Sequence, residues 1–543
     1  MEKKIKNLGI LTDCSRNAVM NPESVKRMID LISDLGYDFF MLYHEDTFEV
    51  NNHPYFGHLR GRYSKDEIKD LDEYAKTKGI ELIPSIQTLA HLNGILKWPQ
   101  YQEICDCADI LMIGDERVYA LIDDIFATLN EVYTTKTVHI GMDEAELFGC
   151  GKYLQKNGYR DRTELFLEHL NTVSEIAKKY DFNLIMWGDM FFKLANKGDY
   201  YNGMLDESLK AKIPSNVSVC YWDYYSRDKK HYDDNIKNSQ VVQENIWFAS
   251  GAWTWGGFTP HNHFSLEANK AALQSCIEHG VGDVCVTMWG DNGGECPKFA
   301  VLPNIYAVSE FAKGNFDMES IKKGFEDKYG IAFDDFMLLD LTDTANTDGD
   351  ICDSEKDTNN SEKYMFYNDC LMGIFDCVVR EDDGKRYAEC AKKLEKMTNN
   401  KDYGFLFKTA KAICDVLEYK YDIGVKTRKA YLDNNIEELK ALIPVYDEII
   451  RRIDIFYDAL EAQWNIENKP HGFDMQDIRI GGLIRRIQHC KKILLRYING
   501  EIESIPELNE PVLDYKGRGE PQHQPFDIVH CWAEASSANV YIF

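Results

Sequence analysis

The stretch Val138-His139-Ile140-Gly141-Met142-Asp143-Glu144 is a short apolar run that stops on two adjacent acids. A continuous apolar run of about four to eight residues suits a strand buried on both faces, as in a parallel sheet. Asp and Glu are usually exposed, so a pair closing a buried strand calls for a reason beyond solvation. Runs of the same kind occupy residues 8–12, 39–43, 80–86, 184–187, 217–222, 246–249 and 284–289.

The segments between the runs have helical spacing. Val25, Met28, Ile29, Ile32 and Leu35 form one stripe that Gly36 ends. Ser64-Lys65-Asp66-Glu67 is a capping box, in which Ser64 and Glu67 satisfy free backbone N–H groups. Ile68, Leu71 and Ala75 follow on one face, and Leu165, Leu170, Val173 and Ala177 repeat the pattern further on. Eight strand–helix units predict a (β/α)8 TIM barrel over residues 1–315. A doubly wound open sheet is the rival, but no GxGxxG or GxxxxGK[ST] loop follows the first run.

After Phe311 the alternation stops. Helical patterns at 361–379, 403–430, 435–462 and 475–498 predict a mostly α-helical C-terminal domain over 316–543, with a loop at 468–473. Residues 343–360 read as a polar, acidic linker. Within it Asn346, Asp348, Gly349, Ile351 and Glu355 imitate a calcium loop, but Thr344 stands where such a loop needs Asp, so calcium is not favoured. The segment 527–543 reads as a small strand or a tail.

Composition narrows the function. The chain has 543 residues, with 90 acids against 62 bases and a net charge of −28. Phosphate and anionic-lipid binding need clustered Lys and Arg, so no nucleic-acid or membrane partner is expected. Hydrophobic residues make up 44% and aromatics 12%, enough for a large core and compatible with binding neutral rings. The 15 cysteines lack paired CxxC spacing and read as free thiols of a reducing compartment. No apolar stretch suits a signal peptide or a membrane span, so a cytoplasmic protein is expected.

Catalytic residues of a barrel stand at the C-terminal ends of its strands. Those ends carry Asp13 and Arg16; His44, Glu45 and Asp46; Gln87 and His91; His139, Asp143 and Glu144; Trp187 and Asp189; Trp222, Asp223, Tyr224 and Tyr225; Trp253 and Trp255; Trp289 and Asp291. A single Trp is more often core than ligand. Tryptophans on four strand ends of one barrel, beside carboxylates and an Arg, describe a carbohydrate pocket. Ordinary glycosidases hold two carboxylates across the scissile bond. Neighbours on a strand point to opposite sides, so an adjacent pair fits that arrangement poorly. It fits better if one carboxyl protonates the leaving oxygen while the other holds a nucleophile internal to the substrate.

His139-Ile140-Gly141-Met142-Asp143-Glu144 resembles the H-x-G-x-D-E signature of glycoside hydrolase family 20, the β-N-acetylhexosaminidases. The resemblance spans residues 7 to about 310, and its nearest relatives are the compact, exo-acting bacterial members whose barrel starts at the N-terminus. It implies substrate-assisted, retaining removal of terminal N-acetylglucosamine or N-acetylgalactosamine, with no metal and no organic cofactor. Glu144 becomes the general acid and base, and Asp143 the residue that orients the acetamido group. Arg16 is similar to the family arginine that grips sugar hydroxyls, and His91 to the histidine beside the acid pair. Trp187, Trp222 and Trp289 look like the acetamido cage, and Asp291 falls at a hydroxyl-binding carboxylate. His139 reads as an orienting residue, and Trp253 and Tyr225 as further binding residues.

One departure stands out. Many members carry Tyr-x-Asp after strand 7, whereas here Ser250-Gly251-Ala252-Trp253-Thr254-Trp255 has no tyrosine. Tyr224 shares strand parity with Trp222 and is expected to supply the hydroxyl, with Tyr225 as the alternative. His44, Glu45 and Asp46 bind hydroxyls or pair with Arg60 or Arg62. Two other readings remain. A metal-dependent sugar isomerase or hydrolase has histidines and carboxylates at strand ends, but no HxH or HExxH spacing is present. The other is a non-catalytic glycan-binding barrel. The helical domain is assigned to stability or to contacts in a homodimer.

Overall fold

The computed structural model describes residues 3–201, 203–345, 361–515, 517 and 531–540. The chain divides into two compact units. The first comprises residues 1–252, 265–289 and 304–321, and the second 253–264, 290–303 and 322–543. Two segments that follow barrel strands in sequence group with the C-terminal helices.

The first unit contains a closed barrel of eight parallel strands. They are Asn7–Asp13, Phe39–Glu45, Glu81–Ile86, Thr137–His139, Asn183–Trp187, Val217–Trp222, Trp247–Gly251 and Asp283–Met288. Each strand pairs with its neighbours in sequence, and the first closes on the eighth through pairs such as Leu11 with Thr287. The expected TIM barrel is therefore present, and each strand overlaps its apolar run. The fourth is shorter than its run: it ends at His139, and Ser85 with His139 is its sole Cα pair with the third.

The helices begin and end where local chemistry directs. In Pro22–Leu35, Asn21 accepts from the Ser24 N–H at 2.9 Å, proline opens the first turn, and Gly36 ends the helix at φ 79°. In Lys65–Thr77, both bonds of the Ser64/Glu67 capping box are made, at 3.1 and 2.8 Å. The apolar stripes read from sequence are buried: Val25, Met28, Ile29 and Ile32 in the first helix, Ile68, Leu71 and Ala75 in the second.

Inside the barrel, Leu11, Phe39, Met41, Tyr43, Ile83, Ile185 and Trp187 form one buried cluster with Cys220, Ala249 and Cys285. Trp222 and Trp289 pack against it half-buried. The interior is thus a solid plug whose last layer is aromatic, and that layer is the floor under the C-terminal strand ends.

The second unit is helical, with Gly384–Glu395, Gly404–Lys420, Ile423–Leu432, Ile436–Glu467 and Asp474–Ile498 among its members. Residues 468–473 form the expected connection between the last two. Buried acids tie its segments together. Glu295 accepts from Arg479 at 2.9 Å and Gln476 at 3.0 Å, and pairs with Lys363. Glu362 accepts from the Phe258 and Thr259 amides at 2.7 and 2.9 Å. The calcium-like stretch 346–360 lies outside the described residues, as do 527–530 and 541–543 of the final segment. What is described of that end holds a short helix, Trp532–Ser536, not a strand. Among the described residues no helix is long and apolar enough to cross a membrane, and the cysteines are free thiols.

Leu11 is fully buried in the barrel plug, and Leu11→Ala would leave a cavity that neighbouring strands cannot close. Equilibrium urea unfolding should show a loss of about 2–5 kcal/mol, with the same strand content by circular dichroism.

Candidate active site

The fourth strand stops early because its continuation is left-handed. Gly141, Met142 and Glu144 have φ of 69°, 71° and 50°. An L side chain in that region costs roughly 1–2 kcal/mol, so the turn needs outside support. Gln87, just after the third strand, supplies it. Its Oε1 accepts from the Met142 N–H at 3.1 Å, and its Nε2 donates to Asp143 Oδ1 at 2.7 Å and to the Tyr43 hydroxyl at 2.9 Å. A Cβ on Gly141 would lie 2.1 Å from Gln87 Oε1, which is why position 141 is glycine. On the other side, Asp189 Oδ2 accepts from the Glu144 N–H at 3.0 Å.

This turn corrects the strand reading. Asp143 and Glu144 are not on a strand, so alternation does not send them to opposite sides. Both converge on His91, whose Nε2 is 3.2 Å from Asp143 Oδ2 and 3.7 Å from Glu144 Oε2. His91 is itself at φ 57°, and its N–H donates to Asp109 Oδ2 at 3.0 Å.

The two carboxyls are driven apart electrically. Burial opposes charge on Asp143, but His91 and the Gln87 bond outweigh it and hold the group down at about 2. Burial also opposes charge on His91, yet Asp143 raises it to about 9. Glu144 moves the other way: burial and the Asp143 charge raise it, against His91 and Lys193. Asp189, fully buried, is pushed up to about 7 by burial and by Asp143, against Lys193 at 3.4 Å. Neighbouring carboxyls with opposed shifts are the arrangement by which one site keeps an anion and an acid side by side.

Around this pair stands a polar and aromatic wall. Arg16 lies 3.2 Å from Asp13 Oδ2 and 3.3 Å from Glu45 Oε1, with its guanidinium 5.3 Å from the Tyr43 ring centre and 5.7 Å from that of Trp289. Trp289 Nε1 donates to the Tyr224 hydroxyl at 3.1 Å. Tyr224 is buried and stacks on Trp222 at 5.3 Å and 21°. Tyr225 is 46% exposed and meets Tyr224 edge-on. Trp187 lies 6.0 Å from Trp289 and 4.2 Å from the His139 ring. Burial lowers His139 to about 3, and its Nδ1 accepts from the Gly141 N–H at 3.1 Å, so it is a neutral orienting residue.

Of the residues expected at the site, the barrel unit brings together Arg16, His91, His139, Asp143, Glu144, Trp187, Trp222, Tyr224, Tyr225 and Trp289. Trp253 and Asp291 belong to the second unit, where Trp253 stacks on Trp255 at 4.7 Å. The trio after strand two separates. Glu45 faces Arg16, Asp46 accepts from Arg60 at 2.9 Å, and His44 bonds the Tyr133 hydroxyl at 2.9 Å in the barrel wall. Gln87, Asp189 and Asp109 carry structural duties that no role had been read for. The first two stand at strand ends in the sequence, and Asp109 gives no such signal.

Residues 8–243 match the profile described as "Glycosyl hydrolase family 20, catalytic domain", and residues 334–526 match "Glycoside Hydrolase 20C C-terminal domain". Hexosaminidase D of Bos taurus is 24% identical over 246 residues, covering 42% of this chain and 65% of the relative. The beta-hexosaminidase subunit alpha of Mus musculus is 22% identical over 214 residues, covering 34% and 39%. The chain thus spans less than two thirds of these relatives' length. The solved β-N-acetylhexosaminidase of Bacteroides fragilis NCTC 9343 is 19% identical, with a TM-score of 0.47 over 60% of this chain and 71% of that one. With its barrel and its helical region each matched by a profile of the same family, the chain belongs to glycoside hydrolase family 20.

Proposed function

We propose that this protein is an exo-acting, retaining β-N-acetylhexosaminidase that removes terminal β-linked N-acetylglucosamine or N-acetylgalactosamine from oligosaccharides. The observation that carries the reading is the convergence of Asp143 and Glu144 on His91 with opposed proton affinities. The names of the relatives agree with it. Glu144, the carboxyl that keeps its proton more readily, protonates the glycosidic oxygen as the bond to the anomeric carbon breaks. The substrate's acetamido oxygen forms a bond to that carbon from the opposite face, giving a cyclic oxazolinium. Its positive charge lies at the acetamido N–H, beside the Asp143 anion, which orients the group and stabilises the developing charge. Water then attacks the anomeric carbon, its proton passes to Glu144, and the bond to the acetamido oxygen breaks. Two inversions leave the configuration retained.

The wall has matching tasks in this reading. Trp187, Trp222 and Trp289 enclose the acetamido group, and the Tyr224 hydroxyl bonds its carbonyl oxygen in place of the tyrosine missing after strand seven. Arg16, fixed between Asp13 and Glu45, takes the hydroxyls of the terminal sugar and sets the exo mode. No step calls for a metal or an organic cofactor. A reducing, cytoplasmic location fits the free thiols.

Two measurements follow. Release of 4-nitrophenol should occur from the 4-nitrophenyl β-glycosides of the two N-acetyl sugars and not from the glucoside, which lacks the internal nucleophile. Glu144→Gln should lower kcat on N,N′-diacetylchitobiose by about 10²–10⁴, and by less on the nitrophenyl substrate, whose leaving group needs little protonation. Asp143→Asn should cost about 10²–10³ on both. Equal losses of Glu144→Gln on the two substrates would remove Glu144 from the acid role.

The ion pair has its own signature. His91 is raised to about 9 from an ordinary 6.5, so its stabilisation is complete below about 6.5 and lost as pH rises through about 9. Asp143 is lowered to about 2 from 3.8, so its share is present above about 3.8 and lost as pH falls through about 2. Imidazole NMR should find His91 charged at pH 7, titrating near 9 in the wild type and well below that in Asp143→Asn. A neutral His91 at pH 7 in the wild type would refute the pairing.

A further inference from the structure

The same three side chains have the geometry of an incomplete metal site. His91 Nε2, a carboxylate oxygen of Asp143 and one of Glu144 all lie within 4.8 Å of one another. Nε2 is 3.2 and 3.7 Å from the two oxygens. Zinc bonds to nitrogen and oxygen of about 2.0–2.2 Å place tetrahedral ligand atoms roughly 3.3–3.6 Å apart. Two edges of such a tetrahedron, from His91 to each carboxylate, are therefore close to that spacing before any ion arrives. His91 Nε2 is buried and ion-paired with Asp143 at 3.2 Å; zinc replaces the proton on Nε2, which passes to solvent. The Glu144 carboxyl is 49% exposed, so it can swing to close the third edge and leave a fourth corner to solvent.

The supports behind the ligands also fit. Asp109 Oδ2 stands 3.9 Å from His91 Nδ1, and Gln87 Nε2 donates to Asp143 Oδ1 at 2.7 Å. A carboxylate fixed by a donor is an outer partner of the kind that orients zinc ligands, and Asp109 holds the His91 backbone N–H at 3.0 Å. One imidazole with two carboxylates suits zinc(II) better than calcium or magnesium, which take oxygen ligands.

We propose that His91, Asp143 and Glu144 form a reversible zinc(II) site, and that the ion inhibits by occupying the place of the substrate's reacting group. This rests on the hydrolase reading for its consequence, because the acetamido N–H and the ion claim the same face of Asp143. It does not rest on that reading for the binding itself. Zinc should therefore raise the apparent KM in proportion to its free concentration and leave kcat unchanged.

The test is equilibrium dialysis of the full chain against zinc chloride, with total zinc per chain measured for wild type, His91→Asn and Asp109→Asn. The wild type should hold one more ion than His91→Asn. Asp109→Asn, which alters the carboxylate that holds the His91 backbone N–H beside the ring, should weaken that ion by about 10–100-fold. N-acetylglucosamine at saturation should displace it, and EDTA should restore turnover of the nitrophenyl N-acetylglucosaminide. Glu144→Gln, close in shape, stands in if His91→Asn fails to fold. Cobalt(II) absorption separates this site from the thiols, since thiolate ligands give near-ultraviolet charge-transfer bands and imidazole with carboxylates does not. Equal zinc in wild type and variants, thiolate bands alone, or activation by zinc would each overturn the proposal. A chain that turns over glycosides without holding the extra ion refutes this site alone. A chain that holds the ion but, once EDTA has stripped it, still cleaves no N-acetyl sugar refutes the hydrolase reading and leaves the site standing.

Discussion

The site depends on one amide side chain wedged beneath a left-handed turn. Gln87 takes the Met142 N–H on its oxygen and gives its own protons to Asp143 and Tyr43. Without that brace, three positive-φ residues in a four-residue stretch would relax toward extended backbone, and Asp143 and Glu144 would alternate to opposite sides as strand neighbours do. Gln87 therefore performs two functions that are normally separate: it holds the backbone shape and it stabilises the charge. The absence of a Cβ at Gly141 is the complementary half of the device, since any side chain there would occupy the space of the amide.

The barrel plug explains why the brace can be rigid. Tyr43 is fully buried in the core cluster, and its hydroxyl accepts from Gln87 while donating to Glu45 at 3.1 Å. Glu45 in turn faces Arg16, and Arg16 lies over Tyr43 and Trp289. From hydrophobic packing at the bottom to the charged residues at the top there is a continuous set of contacts. Each polar side chain in it is fixed by a neighbour that the core already holds. Electrostatic preorganisation of this kind is effective because the dipoles do not have to turn when charge develops.

The sequence made the barrel legible because strand burial on both faces leaves long apolar runs, and each of the eight runs became a strand. It also marked the strand ends, and with them Arg16, His91, Asp143, Glu144 and the tryptophans. Geometry inside the fourth run was not legible. Ile140 and Met142 are as apolar as strand residues, and both are buried. Composition cannot distinguish a buried turn from a buried strand, and only Gly141 hinted at the break. Asp109 was invisible for a different reason: it stands in the turn between the short paired strands Cys105–Cys107 and Ile110–Leu111, not at the C-terminal end of a barrel strand. Trp253 and Asp291 follow strands seven and eight directly in sequence, yet their segments pack with the helices. Adjacency along the chain carries no information on which core a loop joins.

The last point concerns the proton. Asp143 and Glu144 differ by one methylene and sit side by side, so their intrinsic acidities are nearly the same. Their environments make the difference. Asp143 receives a cation and an amide donor, while Glu144, half exposed, receives partial desolvation and the field of Asp143 itself. The anion on Asp143 is therefore one cause of the raised proton affinity of Glu144. In the proposed reaction, any contact that neutralises Asp143 would remove both the stabiliser of a developing positive charge and part of what favours the proton on its neighbour. That coupling makes the pair act as a unit, and losses from changing both residues should fall short of the sum of the separate losses.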